Sequence, residues 1–170
     1  MIKKLLLLTT LCLFITSCGS STKVTSTKTK KTRSHSSSQN QEVTIADKIV
    51  WTAVTYKDTP YKYGGLTRKG MDCSGLIYTS FKQRNINLPR SSRLMYTKGS
   101  PISLKQVKRG DLLFFKTSRK SGSVNHVGLV TSVKKGDIRF IHATSSKGVL
   151  VSSLYEKYWK RAFIKAKRVL

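Results

Sequence analysis

Chemistry-bearing side chains are scarce in this 170-residue chain, which has three cysteines, three histidines and only seven acidic residues. Cys12 and Cys18 both lie within the first eighteen residues, so Cys73 stands by itself in the remainder and an internal disulfide framework is excluded there. The histidines His35, His126 and His142 lack the spacing of zinc ligands, and no metal or other cofactor is expected. No apolar run is long enough to cross a bilayer; the longest, "LLLLTTLCLFI" from Leu5 to Ile15, is too short. The few acidic residues face 33 lysines and arginines, which leaves a net charge of +26. Such a surplus suits polyanionic surroundings, although a solvated basic surface accounts for it equally.

What is present at the amino terminus is an export signal. Lys3 and Lys4 precede the apolar run, and small residues follow it, the pattern of a cleaved signal peptide over residues 1–17. The exit "ITSC" (Ile15 to Cys18) resembles the bacterial lipobox, which makes Cys18 the expected lipidated first residue; an ordinary secretory signal with an incidental cysteine is the alternative. An export signal argues against nucleic acid as the polyanion. It leaves anionic lipid surfaces and peptidoglycan, whose stem peptides carry carboxylates. Residues 18–45 are rich in Ser, Thr and Lys, with Val24 the one aliphatic residue before Val43, and are expected to be a disordered tether. Residues 46–170 suffice for one compact domain and are too few for two.

Within that domain the patterning predicts two helices followed by strands. Ile45, Ile49, Trp51 and Val54 suggest a first helix, and "DTPYKYGGLTRKG" from Asp58 to Gly70 reads as loop. In "DCSGLIYTSFKQRN" (Asp72 to Asn85), Leu76, Ile77, Ser80 and Phe81 share a helical face, with Asp72 and Ser74 at the capping end. Cys73 then falls in the first turn, where the dipole and free amides are expected to lower a thiol pKa. Strands are expected at 110–116, 126–133, 138–143 and 148–153, the middle two joined by "KKGD". Strand alternation puts His126 with Gly128 and Val130, and His142 with Ile138 and Phe140, so a hairpin can bring the two imidazoles together. An unpaired thiol in an oxidising compartment is either an inert buried group or a nucleophile. A nearby imidazole and a polar third group are what thiol catalysis requires.

The motifs "DCSG", "NHVGLV" and "FIHA", with "TPYKYGG", "NLPRSS" and "VKRGDLLFF" in order, resemble the NlpC family of bacterial cell-wall cysteine peptidases, above all its outer-membrane lipoprotein murein endopeptidases. The resemblance implies an α+β, papain-like core in which the nucleophile helix packs on an antiparallel sheet. It implies Cys73 as nucleophile, His126 as general base and acid, and His142 as the group orienting His126. It further suggests Tyr61 as an oxyanion donor, Asp72 and Ser74 as binders of a stem-peptide amine or merely helix caps, and Arg90 as a contact for a substrate carboxylate or a salt-bridge partner. The implied function is hydrolysis of D-alanyl to diaminopimelate cross-links. The γ-D-glutamyl to diamino acid bond is the alternative target, and a non-catalytic wall-binding lipoprotein or a thiol acyltransferase are the alternative roles. The expected protein is a monomer, lipid-anchored in the outer membrane and facing the periplasm.

Overall fold

A computed structural model describes residues 42–118 and 122–170. The expected signal peptide, the lipidated Cys18 and the tether up to residue 41 lie outside the described residues. Among the described residues no helix is long and apolar enough to cross a membrane.

Helix α1 (Ile45–Val54) opens with a reciprocal cap. The Thr44 hydroxyl accepts from the Asp47 amide at 3.2 Å, and the Asp47 carboxylate accepts from the Thr44 amide at 3.1 Å. Its buried stripe is Ile49, Val50, Thr52 and Ala53. Of the expected stripe only Ile49 is inside; Ile45, Trp51 and Val54 are exposed. Trp51 is two residues from Ile49, roughly 200° around the helix, so the two cannot share a face.

A two-stranded hairpin, β1 (Leu66–Thr67) and β2 (Gly70–Met71), closes the loop before helix α2 (Cys73–Lys82). Helix α2 buries Leu76, Ile77, Ser80 and Phe81 as expected, and the Ser80 hydroxyl is satisfied by the Leu76 carbonyl at 2.7 Å. A short α3 (Ser92–Met95) and β3 (Ser100–Ile102) lead to the main strands β4 (Leu112–Phe115), β5 (His126–Lys134), β6 (Asp137–Thr144) and β7 (Gly148–Ser153). Helix α4 (Lys157–Ala162) and strand β8 (Phe163–Arg168) complete the chain. The sheet is antiparallel in the order β3, β8, β4, β5, β6, β7, so the carboxy-terminal strand slots between two earlier ones. The short elements α3, β3, α4 and β8 have no counterpart in the sequence expectations.

Both faces of the sheet are covered. Leu112, Phe114, Val127, Leu129 and Ile141 pack against α1 and α2, while Leu113, Phe115, Val130, Phe140 and Trp159 form a second core opposite. Strand β4 supplies alternate residues to each, which is why "LLFF" is apolar throughout.

The hairpin β5–β6 turns through Lys135 and Gly136, both at positive φ, the conformation of a type I′ turn. Lys134 pairs with Asp137, yet further along Val130 pairs with Phe140 and Leu129 with Ile141, because Thr131 is an extra residue forming a β-bulge. The bulge decides the site. In the register of the turn, His142 would lie opposite Leu129 and on the other face from His126. With the bulge it shares the face of His126 and Gly128. The Thr131 hydroxyl donates to the Arg139 carbonyl at 3.1 Å, and the Arg109 guanidinium donates to the Thr131 carbonyl while bonding Asp47 of α1 at 2.7 Å.

Candidate active site

The residues around Cys73 are accounted for one by one. Asp72 is the N-cap of α2, and its Oδ1 accepts from the Gly75 amide at 2.6 Å. Its oxygens also receive the two ends of the Arg90 guanidinium at 2.9 Å each, the Gly64 amide at 2.7 Å and the Ser74 hydroxyl at 3.1 Å. Burial alone would raise the Asp72 pKa, but Arg90 and the Gly75 and Gly64 amides outweigh it and hold the carboxyl below its ordinary value. Five donors leave this carboxylate without a free lone pair. Its observed role is to cap the helix and tie down the glycine loop. Arg90 correspondingly spends its fork on Asp72, with Ser74 at 2.9 Å. Gly75 has its own reason: a side-chain carbon there would sit 2.2 Å from the Gly65 carbonyl oxygen.

Cys73 is 9% exposed and unpaired. Burial pushes its thiol pKa up, against the pull of the backbone N–H groups of Val127, Ser74 and Cys73 itself. The expectation that the helix start would lower it is therefore reversed, since the amides stabilise a thiolate less than the surrounding apolar core destabilises one.

The imidazoles form a chain. His126 Nε2 lies 3.1 Å from His142 Nδ1, and His142 Nε2 lies 3.1 Å from the Ser152 hydroxyl. Trp159 stacks on His126 with centroids 5.3 Å apart and meets His142 edge-on at 4.4 Å. Phe140 covers the other side of His142 at 4.7 Å. This enclosure lowers the His126 pKa to about 4 by burial, and that of His142 to about 3 by burial and the neighbouring His126. At neutral pH both rings are uncharged.

Neutral rings restrict the proton pattern. If His142 donates Nε2–H to Ser152, its Nδ1 must accept from His126 Nε2–H, and His126 Nδ1 is left with a free lone pair. A cavity of about 250 Å³ is lined by Cys73, His126, Tyr61, Asn125, Tyr158 and Trp159. A second, of about 510 Å³, extends from Cys73 past Tyr61 and Tyr63 to Ser74 and Arg90. Tyr61 is half-buried, and burial together with the neighbouring Cys73, Asp72 and Tyr63 raises its pKa, so it stays a protonated donor. Among the described residues no cluster of three His, Cys, Asp or Glu side chains is placed to hold a metal.

The structure thus brings together Cys73, His126, His142 and Tyr61, with Asp72, Ser74 and Arg90 as an interlocked support at one side. Ser152 and Trp159 were missed by sequence reasoning. Ser152 looks like an ordinary strand serine, and only its burial beside His142 marks it. Cys18 lies outside the described residues.

A helix-borne thiol meeting an imidazole from an antiparallel sheet marks the papain-like class of thiol hydrolase folds. The NlpC/P60 family matches residues 58–168, and the chain belongs to that family. It is 39% identical over 116 residues to the probable endopeptidase NlpC of Escherichia coli, covering 68% of this chain and 72% of that one. Identity to the murein DD-endopeptidase MepS/murein LD-carboxypeptidase of the same species is 34% over 131 residues, covering 76% and 66% respectively. Among solved structures, an NlpC/P60 family protein of Bacillus cereus superposes with a TM-score of 0.66 at 28% identity, over 74% of this chain and 40% of that one.

Proposed function

We propose that the protein is a cysteine endopeptidase that hydrolyses murein peptide cross-links, with the D-alanyl to diaminopimelate bond as its target. The observation that carries this reading is the buried chain from His126 through His142 to Ser152, which leaves one imidazole nitrogen free in the cavity shared with Cys73. Cys73 attacks the amide carbonyl as His126 Nδ1 takes its proton. Because burial disfavours both the thiolate and the imidazolium, proton transfer accompanies attack. The oxyanion meets the Cys73 backbone N–H, which at the helix start has no intrahelical carbonyl to bond, and the Tyr61 hydroxyl. His126 then protonates the leaving amine and later activates the water that hydrolyses the thioester, while His142 accepts from Nε2–H and stabilises the transient imidazolium.

The protein acts in the cell envelope as a monomer. Cys18, acylated once residues 1–17 are removed, anchors it through residues 18–45 to the outer membrane, with domain 46–170 facing the stem peptides of the periplasmic wall. The lipobox-like "ITSC" and the murein-acting relatives support this placement. Changing Cys18→Ser is expected to move the protein from the membrane to the soluble envelope fraction.

The enzymatic reading is tested by mass spectrometry of purified sacculi incubated with the full chain or its Cys73→Ala variant. Conversion of cross-linked dimers to intact monomers by the unsubstituted chain alone is expected. Cuts after D-glutamate would keep Cys73 as nucleophile and replace the substrate bond, and unchanged muropeptides would sink the hydrolase reading.

A further inference from the structure

Beside the cavity of Cys73 and His126 lies another of about 550 Å³, lined by Lys116, Thr117, Ser118, Tyr158, Arg161 and Ala162. Thr117 and Tyr158 border both, so the two adjoin. Thr117 is held in place by Asn125, whose side-chain oxygen accepts from the Thr117 amide at 2.8 Å.

The cations here differ from the arginines that pack against acidic side chains. Arg90, Arg109 and Arg168 are each neutralised by a carboxylate, those of Asp72, Asp47 and Asp111. All seven acidic residues of the chain are among those described, and none lies within ion-pair distance of Lys116 or Arg161. Two unneutralised cations, one after β4 and one on α4, thus border a concavity also lined by Ser118 and Tyr158. Such a concavity concentrates anions.

Its position gives the anion a place in the substrate. Cys73 and Tyr61 border both the 250 Å³ and the 510 Å³ cavities, whereas His126 borders only the former. The nitrogen that His126 protonates departs on the His126 side, so the amine half of the substrate occupies the cavity that adjoins the one lined by Lys116 and Arg161. We infer that Lys116 and Arg161 form a subsite for a free carboxylate on the amine half of the cleaved cross-link. The inference rests on the peptidase reading above and names its preferred substrate. In a diaminopimelate cross-link the carbon bearing the departing nitrogen also bears a carboxylate, within short reach of the scissile bond. The acyl half meets no such pair, because of the two guanidinium groups lining its cavity, Arg90 and Arg93, the first is already bound to Asp72.

The test uses two synthetic cross-linked peptides, identical except that the carboxylate beside the scissile nitrogen is free or converted to the carboxamide. Binding to the full-length Cys73→Ala chain is measured by calorimetry, and cleavage by the unsubstituted chain is followed separately. The free acid is expected to bind about tenfold tighter, the scale of a charge-assisted hydrogen bond, with the preference shrinking as salt rises. Adding Lys116→Gln and Arg161→Gln should abolish the preference, and adding Lys116→Arg and Arg161→Lys should retain it. Equal binding of the two peptides, or a preference that survives the double glutamine change, would overturn the subsite. Discrimination without cleavage would support the subsite and sink the peptidase reading alone.

Discussion

When Ser152 accepts from His142 Nε2–H, it favours the tautomer in which His126 Nδ1 can take a proton. Replacing Ser152→Ala removes that preference without opening the core. A roughly tenfold fall in kcat with little change in KM is expected, and Ser152→Thr should restore most of it. A change in KM alone would make Ser152 a packing residue. The pH profile tests the imidazoles. His126 titrates at about 4, so kcat/KM should hold from neutrality down to about pH 5 and fall as His126 becomes protonated. An acid limb near the ordinary histidine value of 6.5 would contradict the enclosure by Trp159 and Phe140. Asp72, Ser74 and Gly75 were legible as a unit because they are contiguous with Cys73, and a helix start imposes local rules on contiguous residues. Ser152, Trp159 and the direction of the Cys73 shift were not legible, since each depends on neighbours remote in sequence.

The β5–β6 hairpin carries both imidazoles, and two of its features make that workable. Gly128 accommodates Phe140, as a side-chain carbon there would come within 2.4 Å of its ring. Gly128→Ala is expected to cost about 1–3 kcal/mol of stability by overpacking, read as a lowered urea midpoint, with activity falling further because the strand holding His126 must shift. The bulge at Thr131 is the second feature. Deleting Thr131 would remove the bulge and let the register of the turn itself pair His142 with Gly128, so the imidazoles should stay on one face and hydrolysis should persist in a chain that still folds. Activity lost after the deletion would show that the bulge itself, with its bonds to Arg109 and Arg139, is needed beyond the pairing it permits. Strand alternation correctly grouped His126 with Val130 and His142 with Phe140. It could not reveal the bulge, because the sequence "VTSVKKGD" reads as an uninterrupted strand and turn.

For the molecule as a whole, the buried neutral histidines link stability to pH. Each has a folded pKa below the ordinary 6.5, about 4 for His126 and about 3 for His142, so the unfolded chain binds protons that the folded one refuses. Stability is therefore fully present above about pH 6.5 and declines as pH falls toward 4 and then 3, by an amount on the order of a few kcal/mol. Urea denaturation at pH 7 and pH 4.5 should show the loss, and His142→Asn should reduce it. A chain equally stable at both values would mean that the rings are solvated. The sequence by itself determined the α+β class, the helix start at Cys73 and four of the strands, because caps, turns and alternation act over neighbouring residues. The tertiary structure alone decided which residues of α1 face inward, where β8 enters the sheet and how a bulge aligns the imidazoles. It also decided the opposite shifts of thiol and imidazole, and the concavity that Lys116 and Arg161 both border. Burial, register and desolvation are set by what distant segments place around a group, and no local spacing encodes them.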